Sequence, residues 1–140
     1  MIKALDALNR YGQPEKEAHM TVWDVPAELE LGAIPNKIYC NKDLVLPLNT
    51  AFKLIKDRGL GGCIKTWDGC FNIRRKRNGS SMSLHSWGLA IDINAGWNRM
   101  GRPSTQDPRL VQAFKDAGFA WGGDWTSKVD AMHFELARLP

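Results

Sequence analysis

Cysteine is scarce: Cys40, Cys63 and Cys70 are the only three in 140 residues, and no two of them form a CxxC pair. An odd number leaves at least one thiol unpaired within the chain, so a disulfide framework is not expected and the three read as small buried residues. No apolar run reaches the length that crosses a bilayer, which excludes membrane insertion by a long helix. The N-terminal stretch MIKALDALNRYGQPEKEAHM carries charges where a secretory signal would be apolar. It argues against a Sec-type export signal and for synthesis in the cytoplasm. Internal repeats and a domain-boundary linker are missing as well.

What is present has ordinary globular proportions, 44% apolar and 24% charged residues. The length suits one domain with a proper core and is too short for two. The expectation is a single domain over residues 1–140, without a separate binding module. Residues 1–36, broken by Pro14, Pro26 and Pro35, would wrap around it after a short helix within Met1 to Arg10. Net charge is +4, which favours an anionic partner such as cell-wall polymer, nucleic acid or a lipid surface without choosing among them. The one basic run, Arg74-Arg75-Lys76-Arg77, lacks interleaved aromatics, and this speaks against nucleic acid.

The patterning predicts a mixed α+β domain in which helices flank a small antiparallel sheet. Lys37 to Cys40 reads as a short strand. Pro47 suits a first helical turn, Leu48, Ala51, Phe52 and Ile55 share one helical face, and Gly59 is a stop. Cys63 to Trp67 and Phe71 to Ile73 read as a hairpin about Asp68-Gly69, followed by a basic loop. Leu89 to Asn94 alternates as a strand. Asp107 and Pro108 start a second helix that Gly118 ends, and Phe119 to Trp125 and Met132 to Leu136 complete the strands.

One acid stands out. In Ser83-Leu84-His85-Ser86-Trp87-Gly88-Leu89-Ala90-Ile91-Asp92-Ile93-Asn94, Asp92 lies between two isoleucines in a run that looks buried. A carboxylate there is costly unless it is paired or bound to a metal. Strand alternation puts Asp92 on the face opposite Leu89, Ile91 and Ile93, and in Met132-His133-Phe134-Glu135-Leu136 it puts His133 and Glu135 together. Two such strands side by side would bring His85, Asp92 and His133 to one point. Catalytic zinc sites use such a set of three protein ligands with one position left for water, whose pKa the ion lowers to about 7. A base is still needed, and Asp130 precedes His133 across a turn. The HExxH motif and a PCxxC pair are both absent. From residue types alone a plainer reading stands equally: a loop histidine, a turn-facing acid and a satisfied core imidazole.

The pattern Ser83-x-His85-x-x-Gly88-x-Ala90-x-Asp92, followed by Asp130-x-x-His133-Phe134-Glu135, resembles the zinc peptidoglycan peptidases. That family includes D-alanyl-D-alanine carboxypeptidases and phage L-alanyl-D-glutamate endopeptidases used as endolysins. The resemblance runs from about Ile38 to Leu136 and takes in Trp121-Gly122-Gly123-Asp124-Trp125; the N-terminal third adds nothing to it.

The resemblance implies a hedgehog/DD-peptidase-like fold and one zinc ion (Zn2+) per chain, held by His85, Asp92 and His133. It implies Asp130 as catalytic acid/base, where many members carry Glu and Asp is the variant seen among phage endopeptidases. It also implies an upstream arginine that holds the substrate carbonyl or carboxylate. Arg74 is the match, with Arg75 and Arg77 near enough to compete. Ser83 would hydrogen-bond substrate, orient His85 or be a plain loop serine, and Glu135 would support a ligand histidine or form an ordinary ion pair. The expected protein is a monomeric peptidoglycan hydrolase, a phage endolysin made in the host cytoplasm and released to the wall at lysis. A D-alanyl-D-alanine carboxypeptidase is the first alternative, and a non-catalytic zinc-bearing binding domain the second.

Overall fold

Two antiparallel sheets and three helices build the protein, in a computed structural model that describes residues 1–76 and 81–140. Arg77 lies outside the described residues. Helix α1 (Ala4–Tyr11) leads to a two-stranded ribbon of β1 (Met20–Asp24) and β2 (Lys37–Asn41). Helix α2 (Val45–Asp57) follows, then strands β3 (Trp67–Gly69) and β4 (Ala90–Ile93). Helix α3 (Pro108–Asp116), β5 (Phe119–Trp121) and β6 (His133–Leu136) complete the chain. The larger sheet has the order β3-β4-β6-β5, every pair antiparallel. The α+β class expected from the patterning is what the chain adopts.

Both long helices obey their sequence signals. Asp107 accepts the backbone N–H of Arg109 through its side chain and Pro108 fills the first turn of α3. In α2 the buried stripe is Leu48, Ala51, Phe52 and Ile55, and in α3 it is Leu110, Val111, Ala113 and Phe114. These stripes cover the sheet. Phe114 packs on Phe134 of β6 with ring centroids 4.5 Å apart, and Phe52 meets Trp67 of β3 at 6.2 Å and Trp23 of β1 at 5.9 Å.

The central register decides the rest. In the β4–β6 pair, Ile91 stands opposite Phe134, and Asp92 stands opposite His133. Because side chains alternate along a strand, Ile91 and Phe134 go to the helical core while Asp92 and His133 share the other face. All four residues of each strand are buried.

Two expectations need correction. The expected hairpin is not formed. Gly61–Cys63 is a 3-10 turn, the strand is displaced to Trp67–Gly69, and Phe71 to Ile73 have no strand partner. Asp68-Gly69 is therefore not a turn but part of β3: Trp67 pairs with Ile93 and Gly69 with Asp92, with a bulge at Asp68 between them. The backbone N–H groups of Lys65 and Thr66, free to pair in a hairpin, donate instead to the Asn94 side chain. The expected strand Phe119 to Trp125 stops at Trp121, where Gly122–Asp124 turns.

The N-terminal third, expected as a wrapping segment, also bears on the site. It contains β1, and it buttresses the loop that carries His85. The buried Trp87 donates its indole N–H to the Gly12 carbonyl at 2.8 Å, while the Asn41 side chain donates to the Trp87 carbonyl at 3.0 Å. Gly88 has φ +65°, and a Cβ there would sit 2.7 Å from the Asn41 nitrogen and 2.6 Å from Met20 Cε. Only glycine fits both the left-handed backbone and the close approach. Gly88→Ala is therefore expected to destabilise the protein by about 1–3 kcal/mol in urea unfolding; an unchanged midpoint would remove this account of the motif glycine.

Candidate metal and catalytic site

Each of the three candidate ligands is placed by a different local cause. His85 sits in a 3-10 turn, Leu84–Trp87, whose N-terminal N–H groups need a cap; the Ser83 hydroxyl accepts from the His85 backbone N–H at 3.3 Å. Asp92 lies in β4, and His133 opens β6 directly across from it. All three are buried, and one ligand atom from each lies within 4.8 Å of the others.

The ring nitrogens that face inward follow from the outward bonds. His85 Nδ1 is 2.6 Å from the Cys70 carbonyl, which can only accept, so Nδ1 carries the proton and Nε2 is left bare. His133 Nε2 is 2.8 Å from Glu135 Oε1, which likewise leaves Nδ1 as the inward atom. These two bare nitrogens are 3.2 Å apart. Asp92 brings one oxygen to 3.2 Å from His85 Nε2 and the other to 3.4 Å from His133 Nδ1.

Three electron-rich atoms in a buried space repel one another unless a positive charge lies among them. Tetrahedral zinc with bonds of about 2.0–2.1 Å keeps its ligand atoms about 3.3–3.4 Å apart, close to the 3.2 Å between the two imidazole nitrogens. The donor set thus fits a zinc ion in number, type, tautomer and separation. A proton is the alternative occupant, and its influence is visible in the acid–base balance. Burial pushes His133 down, but the bonds to Asp92 and Glu135 outweigh it and raise the imidazole to about 9. For Asp92, burial pushes the carboxyl up, and the bonds from His133 and His85 prevail and hold it well below the usual carboxylate range.

A cleft opens over the triad in two lobes. One is lined by Ser83, Met100, Trp125, Asp130, His133 and Glu135, the other by Asp68, Gly69, Asn72, His85 and Asp92; Arg74 borders both. Asp130 is 3% exposed, so it meets the cleft while most of its surface is packed. The Ser86 hydroxyl accepts from the Arg74 N–H at 3.1 Å and donates to its carbonyl at 3.0 Å, which ties that arginine to the His85 turn. Arg75 lines neither lobe; it forms an isolated bridge with Met82.

The structure thus gathers His85, Asp92, His133, Asp130, Arg74, Ser83 and Glu135 around one cleft. Three participants escaped the sequence. The Cys70 carbonyl is a backbone group that no side-chain pattern reports. Ser86 looks like any loop serine. Asp68 reads as a turn residue, yet the bulge next to Asp92 sends it to the cleft wall, as bulges beside active sites often do.

Two measurements probe this balance. His133 is raised from an ordinary 6.5 to about 9, so the stabilisation from its proton is complete below pH 6.5 and disappears as pH rises through about 9. Chelator-treated protein should lose urea resistance across that window, and the loss should be absent in His133→Gln. Glu135→Gln should weaken zinc binding about 10–100-fold in a competition titration, because the support of His133 Nε2 changes.

Comparison with known proteins finds a family and a solved structure to which the chain is similar. The sequence model of the family described as D-alanyl-D-alanine carboxypeptidase matches residues 76–136, a span that contains His85, Asp92, Asp130 and His133. Among solved structures, the chain is similar to the Serratia marcescens L-Ala D-Glu endopeptidase ChiX, at 21% identity over 69% of this chain and 80% of that one, with a TM-score of 0.46. The matched segment carries both motifs, and over it the chain is similar to the D-alanyl-D-alanine carboxypeptidase family.

Proposed function

We propose that the protein is a zinc-dependent peptidase that cuts the stem peptide of bacterial peptidoglycan between L-Ala and D-Glu, acting as a phage endolysin. The observation that carries the metal chemistry is the convergence of two bare imidazole nitrogens and one carboxylate, spaced for a tetrahedral ion, beneath a cleft bordered by an acid and an arginine. His85 Nε2, His133 Nδ1 and Asp92 would hold one zinc ion per monomer. Bound there, zinc supplies Lewis acidity to a substrate carbonyl and brings water within reach of deprotonation near neutral pH.

The chain's own groups do the rest. Asp130 removes the proton of the attacking water and returns it to the leaving amine when the C–N bond breaks. Arg74 donates to the carbonyl oxygen as negative charge builds on it, and its charge also suits the free carboxylate of a stem peptide. Glu135 keeps the His133 proton on Nε2, and the Cys70 carbonyl does the same for His85 Nδ1, so both rings present a fixed lone pair. Trp125, whose ring centroid is 5.3 Å from that of His133, walls the first lobe. Aspartate at position 130, the shorter acid of phage endopeptidases, supports the endopeptidase reading and with it release of the enzyme to the wall at lysis.

A D-alanyl-D-alanine carboxypeptidase is the second reading, favoured by the description of the family matched over residues 76–136. Mass spectrometry of a muropeptide digest separates the two. Release of the peptide from L-Ala supports the first, loss of terminal D-Ala supports the second, and no cleavage by zinc-loaded protein sinks both in favour of a binding domain. Chelator should stop the cleavage and zinc restore it. Asp130→Ala should lower kcat by about 10²–10⁴-fold while zinc stays bound at one per chain; undiminished turnover in that variant would remove the base assignment.

A further inference from the structure

The Trp121-Gly122-Gly123-Asp124-Trp125 turn supplies none of the three candidate ligands, although its Trp125 ring meets His133, and it packs against the chain on both sides of residue 130. The Gly122 carbonyl accepts the Asp130 N–H at 3.0 Å. The Trp121 indole N–H donates to the Ala131 carbonyl at 2.8 Å. The Asp130 carbonyl, in turn, accepts the His133 N–H at 3.1 Å, which joins the same peptide to the start of β6.

Steric contact is tighter still. A Cβ on Gly122 would lie 2.2 Å from the Asp130 carbonyl oxygen, 3.1 Å from its carbon and 3.2 Å from Asp130 Cβ. Gly122 is not among the glycines with positive φ, so its backbone conformation is open to any residue. What demands glycine here is the closeness of Asp130 and not a turn conformation.

The turn is itself anchored to the rigid part of the fold. The Trp121 ring stacks on Phe134 with centroids 6.3 Å apart and planes 21° from parallel. Lys115 of α3 reaches Asp124 at 2.6 Å and lies 5.9 Å from the Trp121 ring centre. An irregular stretch, Thr126 to Val129, separates the turn from Asp130 in sequence, so chain connectivity alone would leave that carboxylate poorly fixed.

We propose that this turn is a cradle that sets the position of Asp130, with Gly122 and Trp121 as positioning residues for the proton transfer; the inference rests on Asp130 being the base. Displacing a reacting group by about 1 Å can cost about 10²-fold in rate. A methyl group at position 122 must push residue 130 by a comparable amount; His85 and Asp92 lie on other segments, and His133 is held in the β4–β6 ladder opposite Asp92.

The test compares wild type, Gly122→Ala, Asp130→Ala and the double variant, all loaded with zinc, on isolated muropeptides. Gly122→Ala should lower kcat about 10–100-fold with KM changed less than about threefold and zinc held at one per chain. In the Asp130→Ala background it should lower kcat no further, since a residue that acts through Asp130 has nothing left to position. Amide hydrogen exchange at Asp130 and His133 should accelerate in Gly122→Ala, while the amides of the β4–β6 ladder keep their rates. Gly96→Ala, where a Cβ meets open space, is the neutral control.

Should Gly122→Ala fail to fold, Trp121→Phe keeps the ring stack and removes only the indole bond to Ala131; kcat should then fall about 2–10-fold with faster exchange at Asp130. Unchanged kcat in an active enzyme, a loss that adds fully to that of Asp130→Ala, or unchanged exchange at Asp130 overturns the cradle. A wild-type enzyme that cuts no muropeptide, with exchange still accelerated in Gly122→Ala, sinks the peptidase reading instead. The two failures are therefore distinct.

Discussion

Two imidazole nitrogens and a carboxylate, all buried and all turning lone pairs toward one another, cannot coexist without a positive charge between them. Burial forbids water from screening the repulsion, and the protein holds the groups so that they cannot swing apart. The opposing shifts of His133 and Asp92 express this demand: the imidazole is raised and the carboxyl lowered, so that the cluster retains a proton when no ion is there. A zinc ion bound there would exploit the same field and would have to displace that proton. The rest of the architecture is intelligible as a set of supports that make the demand stringent.

Those supports come from parts of the chain that the motifs do not contain. Cys70 and Glu135 select the nitrogen each ring presents, and Cys70 does so from the position that follows the bulged strand β3. The β1–β2 ribbon and α1 press on that turn through Trp87, Asn41 and Gly88. On the far side, α3 and β6 fix the tryptophan-glycine turn beside Asp130. A small domain thus commits much of its interior to orienting a few polar atoms, and a fixed site is what catalysis by positioned groups requires.

The sequence was legible where periodicity and chemistry agreed. Alternation in Leu89 to Asn94 and Met132 to Leu136 put Asp92, His133 and Glu135 on one face, and the β4–β6 register opposes Asp92 to His133 as that alternation allows. The stripes of α2 and α3 and the capping by Asp107 and Pro108 were equally plain. It misled at Asp68-Gly69, whose turn signal is local. Pairing with β4 and the diversion of the Lys65 and Thr66 amides to Asn94 are long-range events, and they prevailed. β1 escaped because a short ribbon strand among prolines has weak alternation, and its partner β2 supplies most of the reason for it to exist.

By itself the sequence determined which residues could serve as ligands and base, because side-chain chemistry and strand alternation are properties of the chain; the arginine clamp came from the family resemblance. Tertiary structure alone decided which nitrogen of each imidazole faces inward, that Gly88 and Gly122 must lack a Cβ, and that the N-terminal segment bears on the His85 turn. Those features depend on backbone carbonyls and on close approaches between segments distant in sequence. A carbonyl is the same in every residue, so no sequence pattern can announce which one will be the partner of a ligand.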